Sequence, residues 1–171
     1  SKTMMTYYAQ PYDITATGLY FESAEDYQAK IGSVRNDYRQ PVEEFEIQFI
    51  DGEAIDFALA KAWEINQVNI LRFMEVTEEW DDQEKLRFII AVGECSYAFD
   101  PESADPDDYD VDIYEMDSLK ELAEDFVEEG LFGDIPERLA FYIDYEAIAR
   151  DLGVDYTETT IAGQRLIYRC G

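Results

Sequence analysis

The side chains in this sequence with chemistry to offer are carboxylates. Asp100-Pro-Glu-Ser-Ala-Asp-Pro-Asp-Asp-Tyr-Asp110 places six acids in eleven residues, and Glu121, Glu124, Asp125, Glu128 and Glu129 follow at close spacing with Lys120 as their one basic neighbour. Carboxylates have three uses: proton transfer between a paired acid and base, coordination of a hard cation through oxygen, and presentation of negative charge to a basic surface. The first is not supported by proximity, because forty Asp and Glu in 171 residues make close pairs unavoidable. With no His, no Gly-rich phosphate loop and no GxSxG or HExxH sequence, no catalytic residue is assigned. The second use fits poorly: the 100–112 run lacks the Gly at position six and the Glu at position twelve of an EF-hand loop. Neither a metal nor a cofactor is expected.

The third use remains. Thirteen Lys and Arg leave a formal net charge of −27, and self-repulsion on this scale works against a compact state. A chain that keeps it either uses the charge or relies on salt to hide it, as halophilic proteins do.

Such charges need a fold to position them. Hydrophobic residues make up 47% of the chain and aromatics 15%, including thirteen Tyr and ten Phe, which separates it from disordered acidic sequences and supplies a core. No apolar run approaches the roughly 18–20 residues that span a bilayer, and no basic segment leads into a hydrophobic one at the N-terminus, so a soluble, cytoplasmic protein without membrane contact is expected. Cys95 and Cys170 have neither CxxC spacing nor His neighbours and read as ordinary thiols.

Charge and pattern divide the chain into three. Residues 1–50 carry eight acids against four bases, residues 51–98 eleven against four, and residues 99–171 twenty-one against five. The first segment alternates through Met5–Gln10 and Leu19–Glu22, shows a helix start at Ser23, and alternates again over Phe45–Phe49, which predicts a small β-β-α-β domain. In the second, Ile55, Leu59, Ala62, Ile70, Phe73 and Met74 make Glu53–Glu75 helical, and Leu86, Ile89, Ile90 and Gly93 mark another helix; this is a helical middle domain. The third opens with the acidic loop and a strand from Val111. Ser118 and Glu121 then form a capping box before a helix whose core face is Leu119, Leu122, Ala123, Phe126 and Val127, stopped by Gly130 and Gly133. Its opposite face sets like charges four apart at 121/125, 124/128 and 125/129, each costing about 0.2–0.5 kcal/mol. Leu139 and Ile143 continue a helical pattern after Pro136, Asp144 can cap a turn bearing Tyr145, Ile148, Ala149 and Leu152, and Glu146 can pair with Arg150. A β-hairpin around Ala162-Gly163 closes the chain. The fold class is α+β, a chain of small modules.

The stretch from Ser118 to Gly130, then Ile135-Pro136, then Tyr142-Ile-Asp-Tyr-Glu-Ala-Ile-Ala-Arg-Asp-Leu152 and the hairpin resembles the C-terminal part of the ArdA antirestriction proteins; Gly18-Leu-Tyr-Phe-Glu22 and Glu43–Ile47 are similar in kind to the family's opening unit. The resemblance implies an elongated chain of modules that pairs as a dimer, a DNA mimic from mobile genetic elements that occupies the DNA-binding groove of type I restriction-modification enzymes. Its partners are then the methyltransferase core of such an enzyme and a second copy, with no direct binding of nucleic acid. The contact residues on this reading are Asp105, Asp107, Asp108, Asp110, Asp112, Glu121, Glu124, Asp125, Glu128, Glu129, Asp134 and Glu137, helped by Glu78, Glu79, Asp81 and Asp82. Tyr142, Asp144, Tyr145, Arg150 and Asp151 match the family motif and have either a structural or a dimer role: Asp144 as a helix cap, Arg150 as a tether, the tyrosines in an interface or the core. The alternatives are an acidic partner for another basic DNA-binding protein, and halophilic acidity without a specific partner; the charge gradient and the C-terminal motif point away from the latter.

Overall fold

The structure is a computed structural model and describes residues 4–171. Strands β1 (Thr6–Pro11) and β2 (Leu19–Phe21), helix α1 (Ala24–Ile31) and strand β3 (Phe45–Asp51) come first. Helices α2 (Ala54–Trp63), α3 (Ile70–Glu79) and α4 (Asp82–Phe88) follow, and then β4 (Val111–Tyr114), α5 (Leu119–Glu128), α6 (Tyr145–Leu152), β5 (Thr157–Ile161) and β6 (Gln164–Cys170). The class is α+β, with two antiparallel sheets ordered β2-β1-β3 and β4-β6-β5. The chain divides into two compact units, Ser1–Asp108 and Tyr109–Gly171.

In the first unit the alternating segments pair as strands, and the Ser23 hydroxyl accepts the Asp26 amide at 3.0 Å to start α1. Aromatic rings join the sheet to the helices. Tyr7 stacks on Phe21 at 5.1 Å and meets Phe73 edge-on at 6.4 Å, Phe73 meets Trp63, and Trp63 touches Trp80, Phe88 and Phe99. Such contacts add to the area each ring removes from water.

The helical stretch expected over Glu53–Glu75 is two helices. Glu64 turns left-handed (φ 54°) at the end of α2. Asn66 and Asn69 then hold the connection with side-chain bonds: the Asn69 carbonyl oxygen accepts the Asn66 amide, and that of Asn66 accepts the amides of Val68 and Asn69, all at 2.9 Å. Asparagine offers the backbone an alternative to the helix, and two of them three residues apart outweigh the apolar periodicity. Helix α4 runs on into one π-helical segment, Ile89–Glu94.

One ion pair lies in this core. Lys85 Nζ of α4 stands 2.8 Å from Asp56 Oδ1 of α2, with both side chains 7% exposed. Burial pushes the Asp56 carboxyl above the usual carboxylate range; Lys85 opposes that shift, and the charges of Glu53 and Asp82 add to it. Burial, with Asp56 nearby, also pushes the Tyr7 phenol well up.

The second unit has a smaller core. Leu122 and Phe126 of α5 meet Ile167 of β6, ringed by Tyr114, Met116, Leu119, Leu152 and Tyr156. The Ser118 hydroxyl accepts the Glu121 amide at 3.2 Å, as the capping sequence predicts, but the Glu121 carboxylate takes the Asp117 amide at 3.1 Å, one residue before the cap. The terminal hairpin turns at Ala162 (φ 51°) and Gly163 (φ 80°), the paired positive φ of a tight two-residue connection.

Three expectations change here. Leu139 lies not in an α-helix but in a 3-10 segment, Glu137–Tyr142, and Ile143 caps its end; every residue from Gly130 to Tyr142 is exposed, so no packing surface draws the segment into an α-helix. Glu146 and Arg150 make no ion pair among the described residues, both being exposed, where such a pair gains little over the entropy of ordering it. Cys95 and Cys170 are not free thiols; their sequence spacing carried no sign of this.

Removing Lys85 leaves a buried carboxylate alone. Lys85→Met should cost about 3–5 kcal/mol at pH 7, while the apolar pair Asp56→Leu, Lys85→Met recovers most of it. The Asp56 carboxyl in Lys85→Met titrates above its unfolded value, so the folded state takes up a proton as pH falls and the deficit shrinks toward pH 4. Denaturant titrations at the two pH values measure both effects.

Candidate functional site

The candidate acids divide between the two units. In the first unit they lie in the loop after Phe99 and at the neighbouring ends of α3 and α4. The loop is the same small structure built twice. Asp100 Oδ1 accepts the Glu102 amide at 3.1 Å and its carbonyl accepts Ser103 N; five residues later Asp105 Oδ1 accepts the Asp107 amide at 3.0 Å and its carbonyl accepts Asp108 N. Proline at the second position of each, Pro101 and Pro106, fixes φ for the 3-10 turns that follow. What the sequence marks as a loop is thus two capped turns, with Asp100, Glu102, Asp105, Asp107 and Asp108 all exposed.

Helices α3 and α4 support these turns. Arg72 Nε donates to the Pro101 carbonyl and Arg87 Nε to that of Pro106, each at 3.2 Å. Arg72 Nη1 also reaches Glu75 at 3.0 Å and Glu79 at 3.3 Å. Glu78, Glu79, Asp81 and Asp82 are exposed. Asp81 has a second task as the cap of α4, accepting the Glu84 amide at 2.8 Å while Glu84 returns the bond to the Asp81 amide.

In the second unit the acids follow α5. Leu122, Ala123 and Phe126 are buried beneath it, Glu121, Glu124, Glu128 and Glu129 are exposed and Asp125 is half-buried. No base stands in its last turn, so Glu128 and Glu129 lie against the negative end of the helix dipole. Asp110, Asp134 and Glu137 are exposed as well. Asp112 differs: it accepts Arg169 Nη2 at 2.6 Å and Nε at 2.9 Å, and the same guanidinium lies 5.2 Å from the Tyr156 ring. That carboxylate is already engaged.

The motif residues also divide. Asp144 caps α6, its Oδ1 accepting the Ala147 amide at 3.0 Å. Tyr145 is half-buried, Arg150 and Asp151 are exposed, and Tyr142 is 82% exposed. Sequence reasoning missed Arg72 and Arg87 as supports and left out Glu75, Asp100 and Glu102. The signal available was the Asp-Pro pair repeated at 100–101 and 105–106.

Among the described residues no group of three or more His, Cys, Asp or Glu side chains is placed to hold a metal ion, and no helix is long and apolar enough to cross a membrane. The arrangement can do one thing well: hold many carboxylates in water at fixed places. It does so at a cost to the fold, and Lys at 128 or 129 should remove part of it. Glu128→Lys or Glu129→Lys relieves one like-charge contact and suits the helix dipole, for a gain of about 0.3–1 kcal/mol each at low salt; thermal unfolding at low and high salt should show that gain shrinking as salt rises.

Two comparisons bear on what the carboxylates face. Residues 14–164 match the sequence model of a family described as antirestriction protein (ArdA). No curated protein matches the chain.

Proposed function

The chain belongs to the ArdA antirestriction family, and we propose that it acts as a mimic of duplex DNA, occupying the DNA-binding groove of a type I restriction-modification enzyme on its methyltransferase core. The observation that carries the reading is α5, a helix that keeps five acids on and around its outer face with no base in its last turn. A helix selected for stability alone would alternate Glu with Lys and gain what this one loses.

B-DNA presents one charge per about 1.7 Å of axis, so −27 corresponds to roughly 45 Å, or about 13 base pairs. Binding is then driven by giving the target's Lys and Arg new carboxylate partners in place of counterions and phosphates, and it weakens as salt rises. No bond is made or broken; the protein's work is to keep the charges in place.

Competition tests this. A type I methyltransferase core bound to labelled target DNA should release it stoichiometrically on addition of the protein, less readily at higher salt. Any one Asp→Asn or Glu→Gln among the exposed acids should change displacement little, whereas five or more together should abolish it. A single substitution of that kind that destroyed binding would contradict the distributed-charge mechanism, and no displacement at micromolar protein would redirect attention to another basic DNA-binding protein.

We also infer a homodimer joined through the segment after α5. Leu131, Phe132, Ile135, Leu139, Phe141 and Tyr142 are all exposed, Phe141 by 96%. Together they offer on the order of 800 Å², about what each partner gives to a standard stable interface. Like charge is also sparse in the segment: from Gly130 to Ile143 it carries Asp134 and Glu137 against Arg138, and adjacent charges of both signs suit a two-fold contact. Light scattering should give twice the chain mass, and Phe141→Glu should halve it with the circular dichroism unchanged.

A further inference from the structure

The acidic turns at 100–108 bury one residue, Pro106, so packing alone does little to fix them. Their own Asp caps shape each turn, and a pair of guanidinium groups ties the turns to the helices. Arg72, its side chain 20% exposed, reaches Pro101 with Nε, and Glu75 and Glu79 with Nη1, whereas those two glutamates are 60% and 55% exposed. One half-buried cation therefore ties a turn of the loop to two outward carboxylates of α3. Arg87, half-buried on α4, gives Nε to Pro106 in the second turn. Both arginines bond to main-chain carbonyls through Nε, which fixes the backbone that carries Asp100, Glu102, Asp105, Asp107 and Asp108.

We propose that Arg72 and Arg87 are positioning residues for inhibition: they hold the loop carboxylates at set spacing so that a basic groove meets them without first having to order them. The inference rests on the DNA-mimic reading and concerns how that surface is maintained. A loop free to move would spread its like charges apart and lose entropy on docking. An arginine fork suits the task because its donors leave in fixed directions, so it can serve a carbonyl and a carboxylate together; a lysine ammonium is a point charge on a flexible stem.

Counting charge and holding geometry give opposite signs. Replacing either arginine by Gln makes the chain more negative than −27, so a mimic that works by total charge should bind as well or better. If position matters, binding weakens. The experiment compares the full-length parent with Arg72→Gln/Arg87→Gln, with Arg72→Lys/Arg87→Lys, and with Lys61→Gln, which makes the same kind of charge change on α2 in the same unit. Displacement of labelled DNA from the methyltransferase core is read over a salt series, and hydrogen exchange of amides 102–108 is read on the free proteins below their unfolding temperatures.

The expected result is at least a tenfold loss of displacement in the double Gln variant. The double Lys variant, whose net charge is unchanged, should lose a comparable amount, and Lys61→Gln none. Exchange over 102–108 should quicken in both double variants while the rest of the unit keeps its protection. A double Gln variant that displaces DNA as well as the parent overturns the proposal, and so does unchanged exchange in the loop. If the parent itself fails to displace DNA, the mimic reading fails; exchange still decides whether the arginines hold the loop.

Discussion

Self-repulsion among forty acids is the constraint to which the rest of the structure answers. Nearly all of these side chains stay in water; among the described residues Asp56 is the one buried acid, and it has Lys85 beside it. The work of cohesion passes to aromatic rings. A series from Phe21 through Tyr7, Phe73 and Trp63 to Phe88 joins the first sheet to the helices, and a triangle of Tyr114, Phe126 and Tyr156 does the same for the second unit. Large rings remove much apolar area from water per residue, which suits a chain with so many positions given over to charge.

Several of the few bases act as struts, tied to a backbone carbonyl, a chosen acid or both. Lys30 joins Asp26 and the Tyr20 carbonyl, Arg35 takes the carbonyls of Gly32 and Val34, and Arg165 links Thr160, Glu158 and the Asp117 carbonyl. With Arg72, Arg87, Lys85 and Arg169, these cations mostly hold backbone or a chosen acid in place. Among the described residues the face of α5 receives none. The distribution leaves the negative field of α5 intact and spends positive charge where geometry needs fixing.

Many acids also have structural work. Asp81, Asp100, Asp105, Glu121 and Asp144 each accept a backbone amide, and Asp13 accepts Thr15 and Asn36, which hold its carboxyl below the usual range. An acid held in this way has lost mobility, so capping a turn and presenting a fixed charge are compatible tasks for one side chain. The segment from Gly130 to Tyr142 shows the opposite economy: apolar side chains kept in water within the unit, a liability unless a second surface covers them.

Much of this was legible in the sequence because it is local. Alternation in Phe45–Phe49, the Ser118 start and Gly130 stop of α5, the Ala162-Gly163 turn and the Asp144 cap depend on residues within a turn of one another; composition alone supplied the apolar content that excluded disorder and the charge that directed attention to carboxylates. The split of the helix at Glu64–Asn69 was also local, but apolar periodicity concealed it. The tertiary structure decided everything that depends on distance in sequence. It placed Arg72 and Arg87 under turns 29 and 19 residues away, set Lys85 against Asp56, gave Asp112 to Arg169, and left Leu131–Tyr142 uncovered. Sequence fixes how much charge a chain carries and which face of each helix carries it; which carboxylates are held, which are paired and which stay free depends on side chains that only folding brings within bonding distance.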